Sequence, residues 1–190
     1  MVWERKGKVE ERERFVHEAM TYFDHLYRVA FHLVKGQDEA QDFVQETYVR
    51  ALSSYEQFTP GTNMKAWLTR ILYNFFFDQY HQKKRWVSVE EEDSEGWGKS
   101  DYWEKVPTEN PGPEGHILLN ELNAKITDAL RKIPEDFRMP VILVDMGDFS
   151  YAETAEIISC PVGTVRSRLS RGRRLLHKQL KRYVDTHERE

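Results

Sequence analysis

Between Val162 and Arg182 the chain carries eight basic side chains and no acidic one: Arg166, Arg168, Arg171, Arg173, Arg174, Lys178, Lys181 and Arg182. A solvated helix face normally mixes signs, so a one-sided run points to a polyanion. On a helical wheel Val165, Leu169, Gly172, Leu176 and Leu180 share one stripe. Ser167, Ser170, Arg171, Arg174 and Lys178 fall on the opposite face, with Arg166 at its edge. Arg pairs guanine in the major groove through a fork of two bonds, and Lys and Ser hold phosphates. Residues near the amino end of such a helix reach base edges. Arg166, Ser167, Ser170 and Arg171 are therefore the expected base readers, and Arg173, Arg174 and Lys178 the expected phosphate contacts.

A helix of this kind needs a partner to aim it. Ser150-Tyr151-Ala152-Glu153 reads as a capping box opening a short helix to about Ile158. Ser159-Cys160-Pro161 breaks it, and a last helix follows from Val162 to about Tyr183. This is the pattern of a helix-turn-helix, with Ala155 small at the crossing and Val165 packed beneath it.

A second candidate surface lies on the helix from Met64 to about Arg85, which Asn63 can cap. Trp67, Leu68, Ile71, Leu72 and Phe75 form one apolar face, while Tyr73, Phe77 and Tyr80 lie opposite, interleaved with Thr69 and Arg70. One reading is a helix buried on all sides. The other is a platform where rings stack on unpaired bases and cations hold the backbone. The preceding loop, Tyr55 to Asn63, adds groups that could hold a flipped base.

The remaining chemistry-bearing residues point to little catalysis. None of the seven histidines forms an i, i+4 pair, and only His25 and His32 could share a helix face for a metal. No phosphate-cradling Gly loop or nucleophile elbow is present. The single cysteine, Cys160, excludes an internal disulfide; it reads as a small turn residue or, alternatively, a redox sensor. No cofactor or metal is expected, and the protein is not expected to be an enzyme.

The chain has 190 residues and a net charge of −4, unevenly spread. Residues 1–83 carry a net −1, residues 84–116 a net −5 and residues 117–190 a net +2. The middle stretch, with Glu90-Glu91-Glu92-Asp93 and Pro111-Gly112-Pro113, reads as a linker in which Trp97, Tyr102 and Trp103 pack on a neighbouring domain or a partner. No apolar signal segment or membrane-length run is visible, so a cytoplasmic protein is expected.

Helical periodicity runs through the rest, with no convincing strand alternation. The spacing predicts helices over about Val9–Lys35, then from Gln37-Asp38 to Ser53 with Asp38 as N-cap, then the helix capped by Asn63. After the linker it predicts helices over about Ile117–Lys132 and Glu135–Met146, then the helix pair. The expected fold is all-α: two small helical domains joined by a flexible acidic linker.

Taken together, these segments resemble a bacterial sigma factor of the extracytoplasmic-function class (group 4). The stretch Asp38 to Ala51 looks like the family's core-polymerase-binding helix, and Phe58 to Leu68 like its −10-element loop and helix. Leu130 to Arg138 looks like the opening of its −35-binding domain, and Tyr151 to Leu176 like its helix-turn-helix. The resemblance implies region 2 over residues 1–86, a linker over 87–116 and region 4 over 117–190. It implies polymerase binding by Asp38, Asp42, Gln45, Glu46 and Arg50 on the clamp of the β′ subunit. It implies −10 recognition by Tyr55, Phe58, Asn63, Lys65, Arg70, Tyr73, Asn74, Phe77 and Tyr80. Thr164, Arg166, Ser167, Ser170, Arg171, Arg174 and Lys178 would read the −35 element, with region 4 against the β flap. It further implies promoter DNA as ligand and an anti-sigma factor as regulator. The wording Pro60-Gly61-Thr62-Asn63 is similar to members paired with a zinc-binding one.

Two other readings compete. A stand-alone helix-turn-helix repressor would bind duplex DNA as a dimer, and would leave the aromatic and acidic helices without a role. A metal-dependent helical enzyme would rest on His25 and His32 alone.

Overall fold

The computed structural model describes residues 2–34, 36–87 and 123–187. Its helices are α1 (Val2–Met20), α2 (Phe23–Leu33), α3 (Gln37–Ser53), α4 (Met64–Val87), α5 (123–131), α6 (Glu135–Val141), α7 (Tyr151–Ile157) and α8 (Val162–His187). A 3-10 turn, Tyr55–Gln57, precedes α4, and a π turn, Ile142–Met146, follows α6. No strand occurs among the described residues. The linker, with Trp97, Tyr102 and Trp103, lies outside them.

The first unit is α1 to α4. The single helix expected over Val9–Lys35 is two helices. Thr21 turns its backbone N–H (3.2 Å) and its hydroxyl (2.7 Å) onto the Glu18 carbonyl, and Tyr22 N–H bonds Ala19 O at 3.1 Å. These tight bonds replace the i, i+4 ladder, so the chain bends and α2 starts afresh. Leu26, Val29, Ala30 and Leu33 of α2 then face Ala40, Phe43, Val44 and Ala51 of α3 and Met64, Leu68 and Leu72 of α4, all buried. Each fully buried Leu contributes about 1.5–3 kcal/mol. α1 joins through Phe15, whose ring lies 5.8 Å from Trp67 and 5.9 Å from Phe58.

Asp38 is not the N-cap of α3. Gly36 takes that place with no side-chain cap, and Asp38 sits in the first turn, where its charge complements the helix dipole. Asn63 does cap α4: its Oδ1 accepts from Ala66 N–H at 3.0 Å. The loop before it turns at Gly61, whose φ of +84° is a left-handed conformation that favours glycine.

The second unit is α5 to α8. Its core is Leu130, Ile133, Met139, Val141, Ile142, Leu143, Ile157, Val165 and Leu169. The helix expected over Glu135–Met146 widens after Val141 into the π turn, closed by Gly147 N–H on Ile142 O at 2.9 Å. Pro140 sits just before, where it lacks the N–H that an α ladder needs. Gly172 lets α8 lie directly on α6: a Cβ there would overlap the Phe137 carbonyl oxygen and stand 2.7 Å from Val141 Cγ2. The capping box of α7 is complete, with Glu153 N–H on Ser150 Oγ at 3.2 Å and Ser150 N–H on Glu153 Oε2 at 2.8 Å. Those bonds lower the Glu153 pKa. Ser159, at φ 51°, and Pro161 then redirect the chain into α8. Cys160 is half-buried in that turn, its Sγ 3.7 Å from Pro161 O.

The two units pack against each other, α7 on α4 and the π turn on α2.

Candidate nucleic-acid interface

The cations of α8 separate into two groups. Arg166, Arg171, Arg174 and Lys178 are exposed, as are Ser167 and Ser170, while Thr164 is half-buried. The Arg171 guanidinium also lies 5.0 Å from the Phe137 ring centroid, a cation–π contact, while the residue as a whole stays exposed. Arg168 and Arg173 are tied back instead, Arg168 to Asp136 at 2.8 Å and Arg173 to Asp145 at 2.5 Å. Asp136 and Asp145 lie on α6 and the π turn, so no pattern within α8 could announce the pairing. Ser167 donates its hydroxyl to the Thr164 carbonyl at 3.0 Å, so the exposed guanidinium and ammonium groups are the donors that this face offers to a major groove.

α3 presents a different face. Asp38, Asp42 and Gln45 are exposed, and Glu46 accepts from Arg50 at 2.7 Å. Arg50 also covers the Phe75 ring at 4.4 Å. Val49 stands out among these charges at 56% exposed. Such a mixed acidic and apolar strip suits a protein partner rather than DNA, whose phosphates it would repel.

α4 and its loop lie between. Arg70, Asn74, Phe77 and Tyr80 are exposed. Phe58 is buried instead, its ring 5.4 Å from Trp67, so it supports the loop. Tyr55 is half-buried beside it, 6.0 Å from Phe15. Together with Pro60, Glu11, Arg14 and Glu18 these rings line a cleft of about 250 Å³.

The second aromatic face of α4 divides. Tyr73 is half-buried, and burial and the nearby Glu135 carboxylate push its hydroxyl up to about 12. Arg138, itself buried, lies 5.7 Å from the Phe76 ring. Both neighbours belong to the second unit, which therefore covers part of the face read as a stacking platform. Asn63 and Lys65 are engaged across the same boundary. Asn63 Nδ2 donates to Glu153 Oε1 at 2.6 Å, and Lys65 Nζ donates to Gly147 O at 2.6 Å.

His25 and His32 do not converge. The Thr69 hydroxyl donates to Lys65 O at 2.8 Å, so at 3.1 Å it can only accept from His25 Nε2, which fixes that tautomer. His32 Nδ1 pairs with Thr127 on α5 at 3.1 Å. Burial holds both neutral, His25 at about 3 and His32 at about 4, helped by Lys65 and Arg28 for the first and by Arg131 and Arg28 for the second. Among the described residues no cluster of three side chains could hold a metal ion, and no helix is long and apolar enough to cross a membrane.

Among the described residues, an all-α fold with a helix-turn-helix, an outward basic face on its last helix and a separate helical bundle with an acidic strip defines a DNA-binding protein with more than one surface. The sigma-70 region 2 family matches residues 19–86, and the sigma-70 region 4 family matches residues 123–176. The chain is 40% identical over 160 residues to the ECF RNA polymerase sigma factor EcfG of Rhodopseudomonas palustris, covering 84% of this chain and 80% of that protein. It is 35% identical over 167 residues to the ECF sigma factor SigE of Mycolicibacterium smegmatis, covering 88% of this chain and 60% of that one. It superimposes with a TM-score of 0.70 on the sigma factor RpoE of Bartonella quintana, solved in complex with the anti-sigma factor NepR. That match has 29% identity and covers 89% of this chain and 98% of the other.

The chain belongs to the extracytoplasmic-function (group 4) sigma factors of bacterial RNA polymerase. It directs core polymerase to promoters, and its partners are the polymerase and promoter DNA rather than a substrate to be turned over. The repressor and metalloenzyme alternatives fall with that membership.

Proposed function

We propose a division of labour along the chain. Residues 1–86 bind core polymerase and melt the −10 element, residues 117–190 read the −35 element, and residues 87–116 tether the two. Asp38, Asp42, Gln45, Glu46 and Arg50 dock on the β′ clamp, and region 4 meets the β flap. Arg166, Ser167, Ser170 and Arg171 read base edges, while Thr164, Arg174 and Lys178 hold the backbone. Lys65, Arg70, Asn63 and Asn74 hold the opened strand, and Tyr73, Phe77 and Tyr80 stack on its bases. Each stacked base contributes about 1–3 kcal/mol, enough across several bases to offset duplex opening without nucleotide hydrolysis. The cleft of about 250 Å³ beside Tyr55, Phe58 and Pro60 has room for one flipped base.

The observation that carries this reading is the separation of chemistries. The free cations face outward from α8, the acidic strip lies on α3, and the exposed rings Phe77 (42%) and Tyr80 (38%) lie on α4. Two weak DNA sites on one tether reinforce each other through effective concentration. An anti-sigma factor is the expected regulator, since the superimposable RpoE of Bartonella quintana was solved with one.

The test is gel filtration of the purified chain with core RNA polymerase in the absence of DNA, followed by run-off transcription. Co-elution in equal amounts is expected. Tight unaided binding to duplex DNA with no co-elution would defeat the reading.

A further inference from the structure

Phe137 is the single aromatic residue of α6, and its place against α8 is fixed from several sides. Its N–H donates to the Pro134 carbonyl at 3.0 Å. Its own carbonyl oxygen lies so close to α8 that a Cβ on Gly172 would overlap it. Its neighbour Asp136 pairs with Arg168 at 2.8 Å. Arg168, Arg171 and Gly172 are spaced three and four residues apart, so they share one side of the helix. These contacts hold Phe137 in register with α8, and its half-buried ring comes to lie with its centroid 5.0 Å from Arg171 Cζ.

Arg171 stands apart from the other outward cations. Arg166, Arg174 and Lys178 are exposed, and among the described residues none of them is paired with a carboxylate or a ring. A long side chain with no seat gives up much rotamer freedom when it grips a base. A guanidinium held against a ring has given up part of that freedom beforehand. The ring attracts the cation through its quadrupole, whereas guanine takes the N–H donors of the fork. The two contacts draw on different features of one group, so the first prepares the second.

We infer that Phe137 is a positioning residue for promoter recognition, its ring seating Arg171 for base reading. The discrimination that α8 exerts at one −35 position then depends on a side chain of α6. The inference rests on the reading of Arg171 as a contact to a base edge.

Holoenzyme assembled from the full chain and core RNA polymerase tests it. Its affinity is measured for a promoter that it transcribes and for variants with each −35 base pair changed in turn. Arg171→Ala identifies the position that Arg171 reads. Phe137→Leu should lower discrimination at that position about two- to fivefold, the strength of an exposed cation–π contact, and leave the other positions unchanged. Phe137→Tyr, which keeps the ring, should match the native chain. In the Arg171→Ala background, Phe137→Leu should change discrimination no further. Each figure is a ratio of two affinities from one preparation, so a smaller folded fraction cancels. The dependence of affinity on salt should also stay native in Phe137→Leu, since no charge is lost.

If Phe137→Leu does not fold, trifluorinated phenylalanine at position 137 keeps the shape of the ring and weakens the pull of its face on a cation. It should lower discrimination at the same position. Undiminished discrimination in the ring-free or fluorinated chain, or an equal fall at every −35 position, overturns the inference and leaves the promoter reading intact. An Arg171→Ala holoenzyme with every −35 preference intact removes the reading of Arg171, and the inference with it.

Discussion

Arg173 grips Asp145 through two bonds, Nε to Oδ2 at 3.0 Å and Nη2 to Oδ1 at 2.5 Å, and so ties the recognition helix to the π turn behind it. A cation that charge counting assigns to phosphate is committed to the fold instead. Two neighbours, Arg171 and Arg174, keep their donors outward.

Arg173→Ala should therefore act on stability and Arg171→Ala on recognition. The Arg173 pair is half-exposed, so its loss costs region 4 about 1 kcal/mol or less. Arg171→Ala should cost about 1–3 kcal/mol of discrimination at its base position and leave polymerase affinity unchanged. Denaturant titration and holoenzyme binding to promoters altered in the −35 element separate the two. Altered sequence preference in Arg173→Ala would count against the division.

Asp42→Arg should weaken binding to core polymerase at least about tenfold, the effect of losing roughly 1.4 kcal/mol at an interface of complementary charge. Promoter preference of whatever holoenzyme forms should not change. Equilibrium binding of labelled chain to core polymerase measures it, and undiminished affinity would remove α3 from the interface.

Gly172→Ala should destabilise region 4 by about 1–3 kcal/mol, because the new methyl has no room between α8 and the Phe137 carbonyl. Gly163 has nothing within 4 Å of the same position. Gly163→Ala, in the first turn of α8, should instead be neutral or stabilising by up to about 1 kcal/mol. Thermal melts of the two variants should move in opposite directions or differ by several degrees; equal shifts would refute the packing argument.

Acid should loosen the fold before the carboxylates titrate. His25 and His32 are neutral in the fold, with values of about 3 and about 4, but bind a proton near 6.5 when unfolded. Below that value the unfolded chain holds more protons, so stability falls as pH falls, by up to about 1.4 kcal/mol per pH unit for each histidine. The loss stops growing once the pH passes below the folded values. Urea midpoints between about pH 7 and pH 5 should decline, and His25→Gln should flatten the decline. A midpoint constant over that window would mean the imidazoles are not buried as described.

Much of this architecture was legible locally. Asn63 caps α4 and Ser150 with Glu153 caps α7 because each bond spans only three residues. The apolar stripe through Val165 and Leu169 predicted burial, and both are buried. Where local signals misled, a competing local bond was responsible: Thr21 folding back on Glu18 split the first helix, and Pro140 preceded an unforeseen π turn. The second aromatic face of α4 was ambiguous because rings look alike whether they await a base or a neighbouring helix. In the fold Tyr73 is half-buried against the second unit, while Phe77 and Tyr80 are exposed.

By itself, then, the sequence determined the helical class, the caps of α4 and α7, the helix-turn-helix and the sign of each surface, since all depend on residues within a turn or two of each other. Only the tertiary structure decided which cations of α8 are paired with carboxylates and which side chains of α4 and its loop meet the second unit. Lys65 meets Gly147 and Arg131 meets Val34 across separations of 82 and 97 residues. No periodicity encodes such a meeting, because it follows from how two finished units fit together, and the strength of each bond depends on the water that the fit excludes.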